Sequence, residues 1–260
     1  TKVYKKGEIS KTYGGFEPRI GLRYSPNKNL ALKFGYNLMR QYLQIVSNTT
    51  TPIPTSRWKT SDQNIAPQVS NLITFGGYQT LKNNIYEISA EVYYRGSKNI
   101  IDYKPGADFL LQKFPETQLV QGISKSYGLE LMFSKKKGVF SGWTNYTYAR
   151  TLNRVYATSN FLDLVNNGNW YNANFDRPHN FNTSLDFTVD KHNSFGFNFV
   201  MSSGRPYSQP VGFVSYQNNF YPFYDERNNE RIPLYHRFDF SWNISNPSMK
   251  DRDWKGNWAF

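Results

Sequence analysis

The chain has 260 residues, a formal net charge of +12 and no cysteine, with 38% hydrophobic, 19% charged and 18% aromatic residues. That aromatic load excludes a disordered chain, the lack of any uninterrupted apolar run of about 18 residues excludes a helical membrane protein, and zero cysteine removes disulfide frameworks, thiolate metal sites and cysteine nucleophiles. A membrane barrel stays open, because barrel strands dilute their lipid-facing residues with lumen residues.

From the N-terminus, Thr1 to Lys6 offers neither an apolar h-region nor an initiator Met, so a mature or cut chain without a signal peptide is expected. The pattern that follows has period two, the strand period, and not 3.6. Ile20, Leu22 and Tyr24 alternate with Arg19, Gly21 and Arg23; Leu30, Leu32, Phe34, Tyr36 and Leu38 alternate with Ala31, Lys33, Gly35 and Asn37. After a weaker segment near 71–80, the clearest strand sets Tyr86, Ile88, Ala90, Val92 and Tyr94 against Glu87, Ser89, Glu91 and Tyr93. Tyr127, Leu129, Leu131 and Phe133 come next, then a weaker segment near 139–151, then Phe181 to Val189 in odd positions, a segment near 194–201, Phe238, Phe240, Trp242 and Ile244, and a last segment near 255–260. Ten strands of an all-β, antiparallel chain are predicted, with no linker or shift of composition to mark a domain boundary.

Charge has a parity. In the strand centres Arg19, Arg23, Lys33, Glu87, Glu91, Glu130, Asp186, Arg237 and Asp239 all alternate away from the apolar set, while Arg40 and Arg150 share the apolar parity only at strand ends, where a long side chain reaches a water boundary. A lipid face enforces this at about 2–4 kcal/mol per Arg or Lys at the bilayer midplane, and a soluble sandwich enforces a similar rule with its apolar face inward. Connection lengths favour the barrel. Short turns at 25–29, 81–84, 135–137 and 190–193 alternate with long connections at 41–70, 96–120, 152–177 and 203–233, the short-turn, long-loop alternation of outer-membrane barrels. Tyr24, Tyr36, Tyr86, Tyr94, Tyr127 and Tyr148 fall near strand ends on the apolar parity, as interfacial girdle residues do.

No constellation points to catalysis or metal. His179 with Asp176 could serve a hydrolase, but Asp176-Arg177 is better read as stabilising a loop-to-strand corner, with His179 packed at the interface. His192 lies in a predicted tight turn, His236 stands between Tyr235 and Arg237, and no spacing matches a metal motif. Lys135-Lys136-Lys137 sits in a turn without aromatic partners on its surface, so it reads as solvated or headgroup-facing, and nucleic acid is not an expected partner.

Several stretches resemble TonB-dependent outer-membrane receptors, especially the group bearing a carboxypeptidase-regulatory-like domain: Glu17 to Pro26 followed by Leu30 to Gln44, Tyr86 to Tyr94, Ser126 to Leu131, Gly142 to Tyr148, Asp176 to Asn180, Ser203 to Tyr207 and Tyr235 to Asp239, in family order over nearly the whole chain. The resemblance implies a transmembrane β-barrel of 22 strands, of which 1–260 would be a single C-terminal portion truncated at both ends, with the plug absent. It implies nutrient uptake at the outer membrane of a Gram-negative bacterium, no cofactor, and as partners outer-membrane lipid, the receptor's own plug, TonB through a missing N-terminal segment, and a surface lipoprotein. The nine charges above would then face the lumen, and Trp58, Phe109, Trp170, Tyr171, Tyr221 and Tyr224 would meet ligand or partner in extracellular loops. Two alternatives stand beside it: a receptor-like barrel serving as structural subunit of an outer-membrane complex, and a small ten-stranded outer-membrane hydrolase, which requires the first and tenth strands to pair.

Overall fold

The structure is a computed structural model and describes residues 9, 11–46, 57–107, 115–156, 163–245 and 257–259. The strands in chain order are β1 (Arg19–Asn27), β2 (Leu30–Gln41), β3 (Leu43–Val46), β4 (Arg57–Thr60), β5 (Gln68–Leu81), β6 (Tyr86–Tyr103), β7 (Leu119–Lys135), β8 (Phe140–Arg154), β9 (Tyr171–Asn172), β10 (His179–Thr188), β11 (Asn193–Ser202), β12 (Pro206–Tyr207), β13 (Gly212–Tyr216), β14 (Asn219–Phe223), β15 (Glu230–Arg231), β16 (Tyr235–Ser245) and β17 (Asn257–Ala259). Ten of them form one antiparallel sheet in the order β1-β2-β5-β6-β7-β8-β10-β11-β16-β17, each beside its chain neighbour, with β9 added against β8. The remaining strands make three two-stranded ribbons, β3-β4, β12-β15 and β13-β14, inside the long connections. Among the described residues β1 pairs with β2 alone and β17 with β16 alone, so the sheet is open and the first and tenth strands do not meet.

Register turns the sequence alternation into two faces. One row of facing residues runs Leu22, Phe34, Phe75, Val92, Leu129, Tyr148 across six strands, and the next runs Ile20, Tyr36, Ile73, Tyr94, Tyr127. On the same face further along, Leu185, Phe197 and Phe240 align, as do Phe187, Phe195 and Trp242. Aromatic rings pack along this face: Phe197 and Phe240 are tilted at 58° with centroids 5.2 Å apart, and Phe195 stacks diagonally on Phe240 at 5.8 Å. The other face carries the row Arg23, Lys33, Gly76, Glu91, Glu130, Thr147, Asn180, Ser202. Where hydroxyls interrupt the apolar face they bond one another: Thr144 Oγ1 and Thr183 Oγ1 lie 2.8 Å apart.

The apolar face is uncovered, with Leu22 61%, Phe75 51%, Val92 47% and Phe240 53% exposed. On β6 it runs from Tyr86 to Tyr94, about 26 Å along the strand and about 20 Å in height at a barrel tilt of 35–45°, close to the apolar band of outer-membrane barrels. The buried apolar residues instead lie in or beside the long connections, where Val120, Val155, Val165 and Tyr171 form one cluster. Among the described residues no helix is long and apolar enough to cross a membrane.

All short connections (28–29, 82–85, 136–139 and 189–192) fall at one end of the sheet, and all long ones (42–67, 104–118, 155–178 and 203–234) at the other. The first three long connections are shorter than the sequence alone suggests, most of all the second, because strands continue beyond the alternating region: β6 reaches Tyr103 and β7 begins at Leu119, inside the stretch expected to be loop from 96 to 120. Past the apolar band neither face is selected for lipid, so alternation fades while the backbone ladder persists. Asn99, at φ 59°, sits in the left-handed region that Asn tolerates and forms a bulge that shifts the β6–β7 register between Lys98 and Ile100. One inserted residue exchanges the faces, so Asp102 aligns with the inward-facing Val120.

Candidate functional site

The polar face and the long connections enclose a cavity of about 1010 Å³. Its wall comes from β5 to β8, where Glu91, Tyr93, Arg95, Ser126 and Glu130 face inward, and its upper rim from Arg177, Arg205 and Arg227. Tyr93 lies across Gly128, where an added Cβ would meet the ring at 2.8 Å. Any side chain at 128 would lift that ring into the cavity.

Two buried ionic clusters fix the rim. In the first, Arg227 donates from Nη1 to Asp102 at 2.5 Å and to the Tyr103 carbonyl at 2.9 Å, with its guanidinium 3.6 Å above the Tyr103 ring. The Tyr171 hydroxyl donates to the second Asp102 oxygen. Burial, and then the Asp102 charge, push the Tyr171 hydroxyl far above its ordinary value; burial is the largest influence on Arg227 and opposes its charge, but Asp102, Tyr103 and Tyr171 together outweigh it and raise that group. Asn166 accepts the Arg227 backbone N–H at 2.8 Å, and Asn228 donates to the Asn172 carbonyl at 2.7 Å, so the end of β6 and the connections 155–178 and 203–234 are joined through one set of bonds.

In the second cluster the fully buried Asp176 carboxylate accepts the Thr151 N–H at 2.5 Å and pairs with Arg231. Arg150 Nε approaches it at 3.3 Å without hydrogen-bond geometry, while Arg150 Nη2 donates to Asn172 at 2.7 Å. Arg231 also donates to the Gly204 carbonyl at 3.1 Å, and Gly204 packs so tightly that a Cβ there would overlap the Ile232 carbonyl. Gly204→Ala is expected to separate β12 from β15 and cost about 1–3 kcal/mol, the usual range for overpacking. Faster proteolysis of 203–234 with an unchanged barrel checks this; an unchanged rate contradicts it.

A third fastening holds 57–67 to the wall. Lys59 Nζ lies 2.7 Å from Asp62 and 3.5 Å from Glu116, and Gln121 donates to the Ala66 carbonyl at 2.8 Å. Burial works against the Asp62 carboxylate, but the bond from Lys59 and the N–H groups of Asn64 and Ile65 outweigh it and hold its pKa below the ordinary value. A depressed carboxylate stabilises fully above its unfolded pKa of about 3.9 and loses that contribution as pH falls through the folded value. Protection of the Asn64 and Ile65 amides, measured against their intrinsic exchange rate at each pH, should therefore hold from neutral pH to about 4 and fall only below it; protection already lost near pH 5 to 6 contradicts the assignment.

Of the residues singled out by sequence, the register places Arg19, Arg23, Lys33, Glu87, Glu91, Glu130, Asp186, Arg237 and Asp239 on the polar face. Glu91 and Glu130 line the cavity. Glu91 also accepts the Tyr78 hydroxyl at 2.7 Å, and Lys33 lies 4.1 Å from the Tyr78 ring. Glu87 pairs with Lys136 at 2.7 Å, Arg237 with Asp239 at 2.9 Å, and Arg19 stands 4.0 Å from Glu17, all away from the cavity. Trp58 and Tyr221 are exposed, at 65% and 51%. Trp170 lies under Lys125, 4.3 Å from ring centre to Nζ. Tyr171, expected as a loop contact, is 4% exposed with its hydroxyl committed to Asp102. Tyr224 is partly exposed in the fourth long connection, and Phe109 lies outside the described residues.

Asp176 and His179 do not pair. His179 Nδ1 lies 2.7 Å from the Tyr146 hydroxyl and its ring packs near Tyr148, on the apolar face, while Asp176 is enclosed by arginines. Arg177, its sequence neighbour, takes no part in that pairing and lines the cavity instead. Sequence reading missed Asp102 and Arg227, whose separation of 125 residues leaves no local signal. It also missed Arg95 and Arg205, which with Arg177 line the cavity and make no side-chain hydrogen bond or ion pair among the described residues. Among those residues no three His, Asp or Glu side chains converge as metal ligands. The arrangement offers free guanidinium groups, amides and aromatic rings, Tyr93 and Phe175 among them, to a polar solute.

No curated protein sequence matches the chain. Among solved structures it is similar to the FrpB iron transporter from Neisseria meningitidis (F3-3 variant), at 13% identity and a TM-score of 0.53 over 88% of this chain and 32% of that one. It is also similar to the siderophore receptor PirA from Acinetobacter baumannii, at 12% identity and a TM-score of 0.51 over 88% and 34% respectively. The chain thus spans about a third of the length of these structures, and at such identities the likeness shows the fold alone. The sequence model of the TonB dependent receptor-like, beta-barrel family matches residues 2–255. With a two-faced antiparallel wall over nearly its whole length, the chain belongs to that family.

Proposed function

We propose that this chain is a stretch of the wall of an outer-membrane TonB-dependent receptor that takes up a scarce polar nutrient. The observation that carries the reading is the division of the same strands into an uncovered apolar face, suited to lipid, and a polar face bearing a roofed cavity, suited to solute. The nine polar-face charges line the lumen against a plug, and the fastened loops form a rim at the cell surface. Arg95, Arg177 and Arg205, free of carboxylate partners among the described residues, make first contact with acidic or hydroxyl groups of the solute. Energy for release comes through TonB acting on the plug, as the family implies, and the wall itself does no bond chemistry.

Growth of a receptor-deletion strain on single limiting nutrients, with and without TonB, tests this. A nutrient whose use needs both proteins supports uptake, and replacing the three arginines by Gln should raise its half-saturating concentration about tenfold or more, the factor for about 1.4 kcal/mol. Nutrient use indifferent to both deletions contradicts it.

One observation favours a second reading, a barrel serving an outer-membrane complex. The hairpin β13–β14 has no charged residue from Ser208 to Tyr224, and it exposes Phe213, Tyr216, Phe220 and Tyr221, an apolar surface of the kind that meets partner proteins. A surface lipoprotein is the partner this reading expects. Deleting the hairpin would then dissolve a copurifying complex while leaving nutrient use intact.

A further inference from the structure

Above the tyrosine level of the apolar face, toward the long loops, the register continues with a row that sequence alternation did not resolve: Arg40, Val69, Lys98, Ile123, Arg154, each facing the next across five neighbouring strands. Cations alternate with aliphatic side chains, and with strands about 4.8 Å apart successive cations stand about 10 Å from one another. Lys125 lies one outward position lower, two residues before Tyr127 on the same face. Aromatic rings are interleaved. Lys125 Nζ is 4.3 Å and Arg154 Cζ 6.0 Å from the Trp170 ring, and Arg154 Cζ is 5.1 Å from that of Tyr156. Arg154 Nε donates to the Gly168 carbonyl at 2.6 Å and Arg40 Nη1 to the Phe16 carbonyl at 2.5 Å; Glu17 accepts only the backbone N–H of Arg40.

None of the four cations pairs with a carboxylate among the described residues, whereas Lys59, Lys104, Lys136, Arg150, Arg227 and Arg231 all do. Nothing among the described residues neutralises them, which leaves the band open to an anion from outside. Lys98 lies four residues beyond Tyr94 on β6, about 13 Å along the strand and about 10 Å in height at barrel tilt, so with the tyrosines at the edge of the hydrocarbon its backbone stands just above a headgroup layer about 5–8 Å thick, which its long side chain reaches by pointing back down.

We propose that this outward band is a binding site for phosphorylated lipid headgroups of the leaflet on the long-loop side, with Arg40, Lys98, Lys125 and Arg154 holding the phosphates and the intervening Val69 and Ile123 meeting the tops of the acyl chains. Charge selects the occupant, because four unpaired cations in one band call for a multiply charged anion, and continuity with the apolar band selects a lipid over a soluble ion. The proposal rests on the membrane reading above.

The full-length receptor, purified in mild detergent and inserted into phosphatidylcholine vesicles, is titrated with bisphosphorylated lipid A, dephosphorylated lipid A and inorganic phosphate. The bisphosphorylated lipid should bind at least tenfold more tightly than the dephosphorylated one, and inorganic phosphate should fail to displace it. The variant R40Q/K98Q/R154Q should bring the preference within about twofold. K98Q/K125Q, which removes no hydrogen bond seen in the structure, should lower it at least threefold, and Arg95→Gln, inside the cavity, should leave it unchanged. Equal binding of the two lipids, displacement by inorganic phosphate, or a preference that survives both variants overturns the site. Failure of every version, wild type included, to insert into plain phosphatidylcholine vesicles overturns the membrane reading and this site with it.

Discussion

A receptor carrying Val92→Arg is expected to be nearly absent from the folded outer-membrane fraction, while Thr147→Arg accumulates like wild type. Val92 stands one outward position above Ala90, the mid-height of the apolar face, and about 5 Å from it in height, between Phe75 and Leu129, and it is 47% exposed. In a water-soluble sheet a half-exposed side chain of this kind tolerates substitution within about 0.5 kcal/mol. Facing hydrocarbon, the same Arg costs about 2–4 kcal/mol at the midplane, a loss of about thirtyfold to several hundredfold in the folded fraction. Thr147 is on the opposite face between Glu130 and Asn180, where a new guanidinium gains a carboxylate neighbour. Heat-modifiable mobility of the two variants in membrane fractions reads the result, and equal accumulation of both contradicts a lipid-facing surface.

The second large effect belongs to the loops. Asp176→Ala leaves Arg150 and Arg231 without their shared carboxylate and the Thr151 N–H without its acceptor. Removing one partner of a buried ion pair costs about 3–5 kcal/mol, because the desolvated charge stays behind. The loss should fall on the docking of 163–178 and 203–234, since the wall is held by its own backbone ladder. Limited proteolysis of those connections in intact cells should speed up by about a hundredfold or more, at 1.4 kcal/mol per factor of ten, with barrel assembly unchanged. A rate within twofold of wild type would show that the cluster does not hold the rim.

The strand centres were legible because a lipid face penalises each misplaced charge separately, so the order of Ile88, Ala90, Val92 and Tyr94 against Glu87, Ser89 and Glu91 survives in the sequence as a simple parity. Above the band that selection stops, and β6 and β7 run on into what reads as loop. The bulge at Asn99 then exchanges the faces, which no count of alternating residues anticipates, and it aims Asp102 at Arg227, 125 residues away. Asp176 was recognisable as a corner residue, but its natural suspect, Arg177, proved to face the cavity while the distant Arg150 and Arg231 hold it. Tyr171 shows the same limit: an aromatic in a long loop reads as a contact residue, and here it is part of the small core beneath the rim.

The central claim is that one face of these strands meets lipid and the other meets water. The chain has no cysteine, so once any cysteine elsewhere in the full-length receptor is replaced by serine, single cysteines can be placed in turn at positions 88 to 94 of β6, labelled with a fluorophore, and quenched in vesicles by a lipid-borne and by a water-soluble agent. The account predicts strict alternation, with 88, 90, 92 and 94 quenched from the lipid and 89, 91 and 93 from water. Quenching of both sets by the aqueous agent alone would contradict it.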